Sequence, residues 1–319
     1  METNKYFIID FDSTFTKVEA LDELGEIALK DHPDKSKILQ EIADLTNAGM
    51  EGKSSFSDNL KKRIDLLQAN KRHLPQLVDK LKTKVSESIK RNRNFFSEFS
   101  DQVMIVSSGF HEFIEPIVTE YGVKKENIFA NTFEMDQHGN IVGFDKNNVL
   151  SHDKGKIEQL KKMKLDGEVY VIGDGYTDYE IKEAGLANKF YAFTENISRN
   201  AVLEKAEFIA PSFDEFLYQN NLPMVISYPK NRIKVLLLEN IHPEAVKIFK
   251  REGYTIETIN SALEEDELCE KIKDVSILGI RSKTTVTKKV LDNAHRLISI
   301  GAFCIGTNQI ELKTAVKKG

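Results

Sequence analysis

This chain has little of what would mark it as secreted, metallothiol or membrane-bound. Only two cysteines occur in 319 residues, Cys269 and Cys304, and neither belongs to a CxxC. That leaves no disulfide framework and no thiolate metal site, and it fits a reducing cytoplasm. The seven histidines are scattered without an HxxxH or HExxH pair, so they read as surface or packing residues rather than zinc ligands. No apolar run approaches membrane length, and the N-terminus runs straight into a strand, leaving no room for a signal peptide. Excess positive charge is missing too, since the net charge is −5. Residues 1–229 carry 29 basic and 38 acidic side chains, whereas residues 230–319 carry 16 and 12. The asymmetry separates two segments, and neither is basic enough to track nucleic acid.

What is present is ordinary globular composition, 40% hydrophobic and 30% charged, in a chain long enough for two cores. Strand patterns at Lys5–Asp10, Gln102–Ser107, Asn127–Thr132, Glu168–Ile172 and Lys189–Phe193, with a weaker one at Phe208–Ala210, alternate with helical ones. These helical patterns include His111–Tyr121, Lys154–Met163 and Asp178–Ala184. The alternation predicts an α/β fold, a Rossmann-like doubly wound parallel sheet whose ligands bind beyond the strands' C-terminal ends. Asp136-Gln137-His138-Gly139-Asn140 predicts a turn between two short hairpin strands. The long stretch between the first two strands is rich in helix formers and predicts an inserted helical subdomain at about 16–95. In it Phe56, Leu60, Arg63 and Leu67 form one helical stripe. A guanidinium on that stripe either snorkels or meets an anion, and periodicity alone favours snorkelling.

The chemistry concentrates at strand ends. Tyr6-Phe7-Ile8-Ile9 delivers Asp10 and Asp12, whose period-two spacing sends both carboxylates to one side. Two like charges so placed require a cation or a shared proton. Val106-Ser107-Ser108-Gly109 offers a hydroxyl and close-approaching backbone N–H groups for an oxyanion, in a composition common to ordinary loops. Val171-Ile172-Gly173-Asp174-Gly175 delivers a third carboxylate, with Asp178 four residues later. A dinucleotide fingerprint is rejected there, because an aspartate would repel the pyrophosphate and Asp178 replaces the third glycine. Hard oxygen ligands of this kind select Mg²⁺, which keeps a place for a substrate phosphate.

Taken together and in order, Asp10-Phe11-Asp12-Ser13-Thr14, Ser107, Lys154 and Gly173-Asp174-Gly175…Asp178 resemble the haloacid dehalogenase phosphatases. Glu19 and Met50-Glu51-Gly52-Lys53…Phe56…Lys61-Lys62-Arg63 extend that resemblance to the phosphoserine phosphatase branch. The resemblance covers residues 1 to about 220 and implies a helical cap over the sheet. It implies Asp10 as nucleophile, Asp12 as acid/base, and Ser107, Ser108, Gly109 and Lys154 as phosphate ligands. Mg²⁺ would be held by Asp10, Asp174 and the Asp12 carbonyl, with Asp178 orienting that shell or Lys154. Glu19 would meet the substrate ammonium and Arg63 its carboxylate, reversing the snorkelling reading, while Met50 and Phe56 close the pocket. Thr177 stands where some relatives carry Asn, which leaves its contact with the phosphate open. The implied activity is hydrolysis of O-phospho-L-serine, the last step of serine biosynthesis. The alternatives are another small phosphomonoester or a truncated bifunctional phosphatase/dehydrogenase whose oxidoreductase half is inactive.

Leu222-Pro223 through Asn231 reads as a boundary, giving a phosphatase domain at 1–222, a linker at 223–231 and a second domain at 232–319. In the second, Lys234–Glu239, Gly279-Ile280-Arg281-Ser282-Lys283-Thr284 and Ile300–Gln309 resemble the N-terminal part of the D-3-phosphoglycerate dehydrogenases. That implies a partial flavodoxin-like α/β segment, with Arg281, Ser282 and Asn308 as possible substrate contacts. No G-x-G-x-x-G follows, so hydride transfer is not expected from it. Its shortened sheet predicts an unpaired edge and apolar surface suited to self-association or a dehydrogenase subunit.

Overall fold

A computed structural model describes residues 4–50 and 55–318, the Met50 side chain excepted. It divides into two compact units, Met1–Val225 and Ile226–Gly319.

In the first unit, apolar segments form β1 (Lys5–Ile9), β2 (Val103–Phe110), β3 (Ile128–Asn131), β6 (Glu168–Gly173), β7 (Lys189–Phe193) and β8 (Phe208–Ala210). β4 (Phe133–Met135) and β5 (Ile141–Phe144) make the separate antiparallel hairpin around Asp136–Asn140. The six-stranded sheet is parallel with order β3-β2-β1-β6-β7-β8. Both faces are buried, as near-continuous apolar runs require. Phe7, Ile9, Ile105, Tyr170 and Ile172 share one core, and Ile8, Val106, Val169 and Val171 share the other.

The order reverses between β1 and β6. The chain leaves β1 toward β2 and β3, and later returns to add β6, β7 and β8 on the opposite side. The turns following β1 and β6 therefore diverge and open a crevice at the carboxyl edge.

Among the described residues, six α-helices lie between β1 and β2: α1 (Ala20–Ala28), α2 (Lys35–Met50), α3 (Phe56–Leu67), α4 (Leu74–Thr83), α5 (Glu87–Arg91) and α6 (Arg93–Glu98). The first four make the cap, cored by Leu24, Ile42, Leu60, Ile64, Leu67 and Leu77. α5 and α6 lie on the sheet instead, so the cap is shorter than 16–95. Phe95 packs edge-on to Phe7 at 5.3 Å and to Phe213 at 5.2 Å, while Arg91 and Asn92 bond Asp214. The β4–β5 turn meets the cap where Lys71 N–H donates to Gly139 and Ile141 N–H to Ala69.

The remaining helices of this unit are α7 (His111–Val118), α8 (Gly155–Met163), α9 (Tyr176–Glu183), α10 (Asn200–Leu203) and α11 (Phe213–Gln219). α9 ends at Gly185 with φ +73°, the left-handed stop expected of a glycine past a helix end.

The second unit is a parallel sheet of order β10-β9-β11-β12, built from β9 (Lys234–Leu238), β10 (Thr255–Ile259), β11 (Ile277–Ile280) and β12 (Ser299–Ala302). Helices α12 (Pro243–Arg251), α13 (Glu265–Lys271), α14 (Lys288–Asn293) and α15 (Leu312–Lys318) accompany it. Ile298, Ile305 and Val316 are exposed near the β12 edge.

Candidate active site

The crevice between β1 and β6 gathers the acids. Asp10 follows β1 directly; its N–H donates to Ile172 of β6, and its Oδ1 accepts the Phe11 N–H at 2.8 Å. Ser13 takes a left-handed φ of +52° in the turn that follows, and the Asn196 amide donates to its carbonyl. Asp10, Asp174 and Asp178 each offer a carboxylate oxygen within 4.8 Å of the others, all buried. Three carboxylates this close in a dry site are untenable without positive charge.

The structure supplies part of that charge from two residues that the sequence reading missed. Lys156 is buried in the first turn of α8, with Nζ 2.9 Å from Asp10 and 2.7 Å from Asp178. Lys154, expected in this place, is instead exposed, at the N-terminal boundary of α8 with φ +59°. The helix explains the shift: Lys156 shares the inward stripe with Leu160, one turn on, whereas Lys154 precedes the helix on its solvent side. Burial alone would weaken the Lys156 ammonium, but Asp10 and Asp178 outweigh it and raise its pKa. A lysine on a helix's apolar stripe was the available signal.

Arg199 is the second. It lies in the loop after β7, buried, with Nε 2.9 Å from Asp174 Oδ2, Nη1 3.2 Å from Asn47 of the cap and Nη2 3.7 Å from Glu19. Its signal was only its place, a cation in a loop following another strand of the same sheet.

Asp178 keeps both oxygens engaged, one with Lys156 and one with the Gly175 N–H at 3.2 Å. A side chain at Gly173 would put Cβ 2.2 Å from the Asp178 carboxyl carbon, so glycine is required there. Thr14 Oγ donates to Asp174 at 3.1 Å. Asp12 accepts the Ala20 N–H at 2.7 Å, and its pKa is held well above the usual carboxylate range by burial and by Glu19. Glu19 accepts Ser13 Oγ at 2.7 Å and is pushed up to about 7 by burial and the Asp174 charge.

Asp10, Asp12, Glu19, Phe56, Arg63, Ser107, Ser108, Gly109 and Lys156 line one cavity, with about 10 Å³ where a water centre can sit. Ser107 Oγ accepts the Gly109 N–H at 3.0 Å, and a Gly109 Cβ would stand 3.0 Å from Asp12 Oδ2. Arg63 is 6% exposed and does not snorkel; Nη2 is 3.3 Å from Asp22, and its buried Nε has no hydrogen-bond acceptor among the described residues. Thr177 is half-buried in the first turn of α9. Met50 ends α2, its side chain outside the described residues, as are Glu51, Gly52 and Lys53.

The model of the haloacid dehalogenase-like hydrolases matches residues 7–182, over half the chain. The chain belongs to that family. A phosphoserine phosphohydrolase-like protein from Francisella tularensis is 32% identical, with a TM-score of 0.62, over 68% of this chain and 99% of that one. The phosphoserine phosphatase of Drosophila melanogaster is 28% identical over 69% of this hydrolase and 79% of its own length.

Residues 235–319 match the D-isomer specific 2-hydroxyacid dehydrogenase catalytic domain. There the chain is 57% identical to the D-3-phosphoglycerate dehydrogenase of Dictyostelium discoideum, over 29% of this chain and only 23% of that enzyme. Arg281, Ser282 and Asn308 are exposed on this unit, with the Arg281 N–H donating to Glu239.

Proposed function

We propose that the chain hydrolyses O-phospho-L-serine to L-serine and phosphate, closing serine biosynthesis. The observation that carries this reading is one cavity uniting a paired-aspartate strand end with a half-buried Glu19 and a buried Arg63. The first pair does phosphoryl chemistry, and the second recognises an α-amino acid. Arg63 supports it further, because among the described residues its buried Nε lacks an acceptor that a substrate carboxylate would supply.

Asp10 attacks phosphorus as the ester P–O bond breaks, and the phosphoryl group passes to its carboxylate. Asp12, whose protonated form is favoured by burial and by Glu19, gives its proton to the departing seryl oxygen. The Asp12 carboxylate then takes a proton from water, whose oxygen attacks phosphorus. The acyl-phosphate bond breaks, releasing phosphate and restoring Asp10. Lys156, Ser107 and the Ser108–Gly109 backbone bind the phosphoryl oxygens as charge spreads over them. Lys156 takes the part that the family resemblance implied for Lys154.

The crowding of Asp10, Asp174 and Asp178 fits a hard divalent cation. Asp10, Asp174 and the Asp12 carbonyl would hold Mg²⁺, with Asp178 orienting Lys156 and the turn after β6. When bound, Mg²⁺ neutralises phosphate charge and favours attack by the Asp10 carboxylate.

Phosphate release from L-phosphoserine tests the reading, with and without Mg²⁺, in the wild type, Asp10→Asn and Arg63→Ala. Activity should require Mg²⁺ and vanish in Asp10→Asn. Arg63→Ala should lose kcat/KM on phosphoserine about 100-fold or more, as a buried ion pair to substrate is lost. It should change little on esters lacking the carboxylate. Sustained turnover by Asp10→Asn, or equal losses on all esters in Arg63→Ala, would refute the nucleophile or the substrate respectively.

A further inference from the structure

One carboxylate unused by that chemistry joins the cap to the helix of Lys156. Asp153 lies in the turn before α8, and its Oδ1 accepts the Ser57 N–H at 3.1 Å and Ser55 Oγ at 3.3 Å. Ser55 is itself the N-cap of α3, accepting the Asp58 N–H at 3.2 Å. Asp153 therefore adds an anion at the amino end of a 12-residue helix, where unpaired N–H groups and the helix dipole favour one.

α3 carries Phe56 and Arg63, which line the cavity together with Ser107, Ser108 and Lys156 of the sheet domain. About 10 Å³ of free space is room for a water but not for passage of an amino-acid phosphate. The amino end of α3 and the α8 turn border this cavity, and their parting would widen it for an amino-acid phosphate. Asp153 is exposed, so its two bonds exchange readily with water and hold the closed state only modestly.

We propose that Asp153 is a positioning residue that latches the cap closed, tying the start of α3 to the start of α8. Arg63 on one helix and Lys156 on the other are thereby brought onto the substrate together. The kinetic consequence rests on the phosphoserine reading; the conformational one does not.

Spin labels at Lys61→Cys and Glu158→Cys, both exposed positions, report the α3–α8 separation when Cys269 and Cys304 are replaced by alanine. In the full chain without substrate, Asp153→Ala should raise the ratio of long to short distances by about 3- to 10-fold, the loss expected of modest exposed hydrogen bonds. Asp153→Asn, which keeps an acceptor oxygen, should restore most of the short population. With phosphoserine, KM in Asp153→Ala should rise by a similar factor, with kcat nearly unchanged. For p-nitrophenyl phosphate, which lacks the groups that Arg63 and Glu19 bind, KM should stay constant, as should the melting temperature. An unchanged distance distribution in Asp153→Ala would overturn the latch while leaving phosphoserine turnover by the wild type untouched. Failure of the wild type to hydrolyse phosphoserine would overturn the substrate while the distances still decide the latch.

Discussion

Lys156 and Lys154 are two residues apart and live in different media. Lys156 is 3% exposed between two carboxylates, whereas Lys154 faces solvent. Lys156→Met should therefore lower kcat on phosphoserine at least about 100-fold, the scale of losing one preorganised electrostatic contact. Lys154→Met should stay within about twofold, as expected of a solvated surface lysine. Initial rates at saturating Mg²⁺ check both. Glu19 gives a pH prediction. Its folded pKa of about 7 lies above the ordinary 4.5, so between these values the folded protein binds more protons than the unfolded chain. Stability of the metal-free protein should thus fall as pH rises from about 4.5 to 7 and level off above, with Glu19→Gln flattening the slope. Denaturant midpoints measured across that range decide it.

At the scale of elements, the β6–α9 turn is tightly constrained. Its Gly173 has no room for a side chain, because Asp178 folds back onto it to meet Lys156. Gly173→Ala should displace Asp178, reducing activity at least about tenfold and costing roughly 1–3 kcal/mol by overpacking. Parallel thermal melts and phosphate-release assays would show whether both effects appear.

The sheet and the carboxylates were legible in the sequence because buried parallel strands are near-continuous apolar runs ending in polar turns. Asp10, Asp12 and Asp174 follow such ends, while Ser107 lies in the second half of β2. The rest was hidden for physical reasons. Lys156 depends on which side of α8 faces the sheet, a phase that begins only at Gly155. Arg199 depends on a loop folding back across the edge to reach Asp174, which local pattern does not encode. α5 and α6 looked like more cap until Phe95 met Phe7 and Phe213 across the chain.

For the whole molecule, each unit owns its core. Phe7, Phe95 and Phe216 belong to the first, and Leu236, Leu268, Leu278 and Val290 to the second. A chain ending at Val225 should keep the phosphatase kcat/KM within about twofold, as expected of self-contained domains. Calorimetry of the full chain should resolve two transitions, and the one missing from the shortened chain belongs to Ile226–Gly319.

The reversal of strand order between β1 and β6 also governs when the enzyme can first act. Asp10 is made long before its partners Lys156 and Asp174; Thr14 and Asp174, which bond directly, are 160 residues apart. The first strand must pair β2 and then wait for β6 to zip along its other side. Such long-range pairing is slow to form, because loop closure precedes any gain from contact. A nascent or clipped chain lacking β6 is therefore chemically silent, however well its cap has folded. Activity becomes a readout of completed topology, and recovery of phosphate release during refolding should track the formation of the β1–β6 pair rather than the earlier rise of helical signal.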